Sequence, residues 1–216
     1  MSTGNSSTST GRRRGRPDSV DGSDIREGIL EVAERLFATQ GFAATSIREI
    51  AEQVDVTPAM VHYYFGSKKR LLRAVMEHAL EPMTGAVAEI AGRGRISLND
   101  LTGLMFRLMA AHPSLPQLIT REVFLPGGQL QSTFLRDFAP RLGGRLPTIL
   151  AGEQASGRLD PQADTAIVSL LLMSLSFFPF IARPVAEAVL GVRYDEAGQQ
   201  AIAQHVTRLL ERGVQP

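Results

Sequence analysis

From residue 25 onward, apolar positions recur at the three-and-four spacing of helices, and no stretch shows the two-residue alternation of a half-buried strand. Ile25, Ile29, Val32, Ala33, Leu36 and Phe37 share one face of a first helix that starts near a Ser23/Asp24 cap and ends at Gly41. A second helix opens with a Ser46–Glu49 capping box and buries Ile47, Ile50, Ala51 and Val54. Asp55-Val56-Thr57 reads as a tight turn. Asp tolerates left-handed backbone there, and Thr57 then caps a third, short helix with Pro58 at its first position. Gly66 and Ser67 end that helix and cap a fourth over 67–91, which "GRGR" (92–95) stops. Further helices are predicted over 98–111, 114–125, 129–153, 162–182 and 196–212, with Pro140, Gly143, Gly144 and Pro147 kinking or splitting the 129–153 segment. The predicted fold class is all-α, with about nine helices.

The third helix contains four consecutive ring-bearing residues, His62 to Phe65. At about 100° per residue they cannot all face one core. With Pro58 at the origin, Val61 and Phe65 fall on one face, one turn apart, and should pack onto the second helix. Ala59, Met60 and Tyr63 look away, with His62 and Tyr64 on the flanks. The outward face is slim enough to enter a groove of DNA, apolar enough to meet thymine methyls, and equipped to hydrogen-bond base edges. A helix, a three-residue turn and a short second helix constitute a helix-turn-helix.

Charge sharpens this picture by its distribution, since the net charge is only +1. Residues 12–16 ("RRRGR") hold four arginines and residues 68–73 ("KKRLLR") four more cations, including both lysines of the chain. Residues 1–23, almost devoid of apolar side chains, are expected to be a disordered basic arm, either a solubilising tail or an arm whose Arg14 and Arg16 enter a minor groove. The absence of cysteine fits a reducing compartment, the N-terminus lacks the apolar core of a signal peptide, and a cytoplasmic location is expected. "TAIVSLLLMSLSFFPFIA" (165–182) has the minimum length of a membrane span but is interrupted by Ser169, Ser174, Ser176 and Pro179. It is read as a buried helix, with no membrane partner. No motif of a hydrolase, P-loop or dinucleotide enzyme occurs, and His62, His78, His112 and His205 are too scattered for a metal. No catalytic residue, metal site or cofactor is expected.

The stretch 29–72, "ILEVAERLFATQGFAATSIREIAEQVDVTPAMVHYYFGSKKRLL", resembles the DNA-binding domain of the TetR (tetracycline-repressor) family of bacterial transcriptional regulators. The matching positions are Phe37 to Gly41, Thr45 to Ala51, Asp55-Val56-Thr57, Tyr63 to Phe65, and Ser67-Lys68 with Leu71. Two positions depart from the family pattern: Asp55 stands in place of a turn glycine and His62 in place of a tyrosine. The resemblance implies three parts: the arm (1–23), a three-helix DNA-binding domain (24–70), and a larger helical ligand-binding and dimerisation domain (71–216). It also implies a homodimer whose two third helices enter successive major grooves of a palindromic, double-stranded operator. By position, Thr45, Arg48 and Thr57 would meet backbone or base edges, Ala59, Met60 and Tyr63 bases, and Tyr64 and Lys68 phosphates. His62 is a further candidate contact.

For the rear of the chain the resemblance implies a four-helix dimer interface built from 162–182 and 196–212, with Leu170, Leu171, Leu175 and Phe178 as candidates for its seam. It also implies a small-molecule effector held between the fourth and middle helices, where Met105, Phe106, Met109, His112, Arg121, Phe124, Phe134 and Phe138 are candidate contacts. From their spacing alone most of these read as core, and His112 beside Pro113 as a helix end, while Arg121 and Glu122 are expected to pair. The leading reading is a repressor released by a small hydrophobic effector. Its rivals are a constitutive DNA-organising protein, which the absence of a sealed apolar pocket would favour, and a small helical enzyme.

Overall fold

The computed structural model describes residues 22–92 and 97–214, and among them there are helices and no strands. The basic arm with Arg14 and Arg16, and residues 93–95 of the expected "GRGR" stop, lie outside the described residues. Eleven α-helices follow in order: α1 Gly22–Gln40, α2 Ile47–Gln53, α3 Pro58–Phe65, α4 Lys68–Gly92, α5 Leu98–Ala111, α6 Leu115–Ile119, α7 Gln131–Thr133, α8 Leu146–Ala155, α9 Thr165–Ile181, α10 Arg183–Leu190 and α11 Glu196–Val214. α6 runs on into a π-helical turn, Thr120–Phe124, and α7 into another, Phe134–Phe138.

Local chemistry accounts for most of these boundaries. Ser46 caps α2 by accepting the Glu49 N–H at 3.1 Å, but only half of the expected box forms, because the Glu49 carboxylate takes an amide N–H of Gln40 at 2.7 Å. Asp55 is left-handed (φ 56°), Thr57 caps α3 through the Met60 N–H, and Gly66 (φ 75°) terminates it. Ser67 caps α4 through the Arg70 N–H. α1 begins at Gly22, so Asp24 lies inside its first turn instead of capping it.

Two differences separate nine expected helices from eleven. The 129–153 segment is split as its prolines and glycines dictate, into α7 and α8. The chain after α9 does not become a loop: it turns by 71° and starts α10, with Pro184 in its first turn and left-handed Gly191 as its cap. Among the described residues no single helix is long and apolar enough to cross a membrane.

α3 packs on α2 and α4, and α1 on α2, α4 and α6. Behind them α5, α9 and α11 pack on one another, and α8 on α9. One apolar core runs through the molecule from Ile29 and Phe37 through Leu71 and Met76 to Leu172 and Leu210. α9 is not the fully buried helix expected. Val168, Leu172, Ser176 and Phe180, spaced by four, are covered, while Ile167, Leu170, Leu171 and Phe178 stay open. Front and rear are joined twice, by α4 packing on α5 and by α1 resting directly on α6.

Candidate nucleic-acid interface

α3 divides into two faces. Val61 and Phe65 are buried against the rest of the front, and Arg26 of α1 lies over the Phe65 ring. The opposite face is open: Ala59 and His62 are exposed, Met60 is half-buried, and Tyr63 is 85% exposed. Tyr63 and Tyr64 meet edge-to-face with centroids 5.4 Å apart, and the Tyr64 hydroxyl reaches the start of α1 beside Gly22. Stacking on Tyr64 limits the rotamers of Tyr63, so the protruding ring is aimed without being covered. His62 places Nδ1 3.1 Å from the Gly66 carbonyl, which ties the ring to the end of its own helix.

Around this ridge the structure arranges charge. Lys68 donates Nζ to the Thr45 carbonyl at 2.7 Å and lies 4.3 Å from the centroid of the Phe42 ring. Its ammonium is therefore pinned over the α1–α2 turn at the start of α4. Lys69 and Arg70 beside it are exposed. Arg48 is open on α2 and bonded to Glu52 at 2.8 Å. That hydrogen bond raises the pKa of the guanidinium and engages only Nε, so the outer nitrogens stay open to a further acceptor. Thr57 is exposed at the head of α3. Thr45 is the exception. Its side chain is 1% exposed and its hydroxyl donates to the Gly41 carbonyl at 2.9 Å, so it shapes the turn and offers Lys68 a carbonyl; its hydroxyl cannot reach a base or a phosphate.

The residues expected to line an effector cavity do not converge on one. Phe106, Met109 and Phe138 are core, and Met105 and Phe134 pack half-buried against it. Phe124 is exposed, edge-on to Phe177. His112 is committed to Glu34 of α1, 3.2 Å away, with His78 edge-on to it. The space bounded by α4, α5, α8 and α9, between Met83, Leu104, Met105, Leu146 and Leu172, amounts to about 10 Å³. The large cavity lies elsewhere: an open cleft of about 660 Å³ between the end of α1, the α5–α6 loop, the first π turn and the α9–α10 bend, to which only Met109 and Arg121 of the expected residues contribute.

Arg121 and Glu122 do not pair. Arg121 donates to the Thr39 carbonyl at 2.9 Å, and the Glu122 carboxylate, 5% exposed, takes the Phe42 and Gln129 N–H groups at 3.0 and 3.1 Å. Both therefore grip the end of α1 and the turn leading into α2. Sequence reading missed this joint, as it missed Arg183 at the cleft. The Arg-Pro start and glycine stop of α10 could have revealed that helix, whereas no local signal marks Glu122.

On the surface behind, Leu170, Leu171 and Phe178 of α9 are exposed, joined by Val185, Val189 and Leu190 of α10 and Leu209 of α11. Leu175, expected in the same seam, is half-buried against the core.

Residues 29–75 match the bacterial regulatory proteins, tetR family, and residues 95–210 match a tetracyclin repressor-like C-terminal domain. The chain is 27% identical over 186 residues to the HTH-type transcriptional repressor NicS of Pseudomonas putida, covering 84% of this chain and 87% of that protein. It is 26% identical over 196 residues to the HTH-type transcriptional regulator RutR of Escherichia coli, covering 88% and 91%. Among solved structures, the ketosteroid transcriptional regulator KstR2 of Mycobacterium tuberculosis has a TM-score of 0.72 at 17% identity, covering 88% of this chain and 95% of that one.

Proposed function

The chain belongs to the tetR family of bacterial regulatory proteins, whose members are DNA-binding transcriptional regulators and not enzymes, and on that premise we propose that it represses transcription as a homodimer on a palindromic operator and is released by a small organic effector. The observation that carries the DNA-binding part is the two-faced third helix: Val61 and Phe65 hold it down while Ala59, Met60 and the 85%-exposed Tyr63 form a ridge. Lys68, Lys69, Arg70 and Arg48, the last through its outer nitrogens, would serve phosphates beside that ridge when the helix enters the major groove. Repression is supported by the relative NicS, itself named a repressor.

Dimerisation is supported by the number of large apolar side chains left open on α9, α10 and α11, the kind of surface that marks an interaction site. A symmetric pair would bring two third helices to one side of DNA, where consecutive major grooves recur roughly every 34–36 Å. Selection from random duplex DNA, followed by footprinting, tests this reading. Enrichment of inverted half-sites centred about one helical turn apart supports it, and enrichment of a single unrepeated half-site refutes the dimeric docking.

The constitutive DNA-organising reading is favoured by one observation, the near closure of the space beneath α4 at about 10 Å³. Against it stands the 660 Å³ cleft, within the usual size range of small-molecule sites and in contact with the joint between α1 and α6. Operator affinity that no compound in a broad small-molecule panel alters would favour the constitutive reading.

A further inference from the structure

The open cleft has a chemical character of its own. Met109, Leu125 and Phe180 supply apolar wall, and no Asp or Glu is among the described residues that line it. Two arginines do. Arg183 is engaged, 3.1 Å from Glu187 and over the Tyr194 ring. Arg121 has no carboxylate partner among the described residues; its contact is the neutral Thr39 carbonyl. The side chains of Ser114 and Gln117, also in the lining, carry no hydrogen bond to another described residue. An unpaired guanidinium beside an apolar wall and two free polar side chains is the donor set for a carboxylate attached to an apolar body.

Arg121 also sits in the π turn Thr120–Phe124, where Leu125 donates to the Thr120 carbonyl at 3.0 Å. Such wide turns recur at functional sites because the extra residue re-aims its neighbours. Here Arg121 serves the cleft while the next residue, Glu122, turns inward to hold the Phe42 N–H.

We infer that the cleft between α1, α6 and the α9–α10 bend is the binding site for an organic monoanion, a carboxylate on an apolar body, which Arg121 grips in place of the Thr39 carbonyl. A carboxylate is the stronger acceptor for a guanidinium. Its arrival therefore withdraws Arg121 from the end of α1, one turn before the Phe42 N–H that Glu122 holds. The site rests on the ligand-responsive reading above and names the ligand class and the joint through which occupancy is felt.

The full chain can be titrated calorimetrically with decanoate and 4-phenylbutyrate, each beside its primary amide. At least one carboxylate should bind more tightly than about 1 mM and roughly tenfold or more above its amide. Arg121→Gln should bring that ratio to about one with the amide unaffected. Ala110→Phe, filling the cleft from an exposed lining position, should remove binding of both. The site is overturned if no probe binds, if the amide matches the carboxylate on the unaltered chain, or if Ala110→Phe leaves binding intact. Fluorescence anisotropy with the selected DNA separates the two readings. A carboxylate that binds as described but leaves DNA affinity unchanged supports the site and refutes the effector role. Release of DNA by a compound indifferent to Ala110→Phe keeps the effector role and overturns the site.

Discussion

Replacing Glu122 by alanine tests the joint between the DNA-reading front and the rear. Its carboxylate, almost wholly buried, accepts the Phe42 N–H from the α1–α2 turn at 3.0 Å and the Gln129 N–H from the loop before α7 at 3.1 Å. That loop folds tightly over it: a side chain at Gly128 would meet the Glu122 carbonyl oxygen at 2.5 Å, and Leu130 donates to that oxygen at 2.9 Å. Alanine would leave two part-buried N–H donors without partners, at about 1–3 kcal/mol each. Water entering from the open side of the turn offsets some of this, so a net loss of about 2–4 kcal/mol is expected. For a chain of this size that corresponds to a fall of about 5–15 °C in the unfolding midpoint. Glu122→Gln keeps one acceptor oxygen but sets an amide NH₂ against the second donor, and should fall between the two. Thermal and urea unfolding followed by circular dichroism measure the total, and hydrogen exchange locates it. The Phe42 and Gln129 amides should lose protection while Ile50 and Leu72, deep in the core, keep theirs. A midpoint within about 2 °C of the unaltered chain, with both amides still protected, would refute this account of the joint.

Lys68→Ala should flatten the log–log salt dependence of DNA binding by about one unit for all sequences alike, and should also cost about 0.5–1 kcal/mol of stability from the lost contact with Phe42. An unchanged slope would mean that its ammonium serves the turn alone. Tyr63→Ala, at a side chain that is almost wholly open, should leave stability within about 0.5 kcal/mol while blunting discrimination between selected and random DNA in competition gel shifts; equal loss on both would remove Tyr63 from base reading. Leu171→Asp should preserve the helical circular dichroism signal, since that side chain is exposed in the single chain, yet yield monomers in sedimentation equilibrium because the charge would be buried and unpaired in the seam. Persistent dimers would move the interface off α9.

The parts of this protein legible in the sequence are those governed by neighbours a few residues apart. Thr57, Pro58 and Gly66 set the ends of α3, Asp55 takes the left-handed turn, and the 100° step between residues puts Val61 and Phe65 inward and Tyr63 outward. These outcomes depend on backbone dihedral preference and periodicity, which any short window of the chain contains. The joint is of another kind. Glu34 meets His112 across 78 positions, Glu122 reaches Phe42 across 80, and Arg121 reaches Thr39 across 82. Thr45 is a contact residue by resemblance, but in the folded turn its side chain is buried and its hydroxyl donates to the Gly41 carbonyl. The Met and Phe residues of the middle helices read as core from their spacing and as a pocket from the family resemblance; packing decides for core, with about 10 Å³ left between α4, α5, α8 and α9. The larger space, an open cleft of about 660 Å³, lies instead where the ends of α1, α5 and α9 leave room between them. Side-chain spacing says which face of a helix is apolar, but only the packing of whole helices decides whether that face meets a neighbour, a void or solvent.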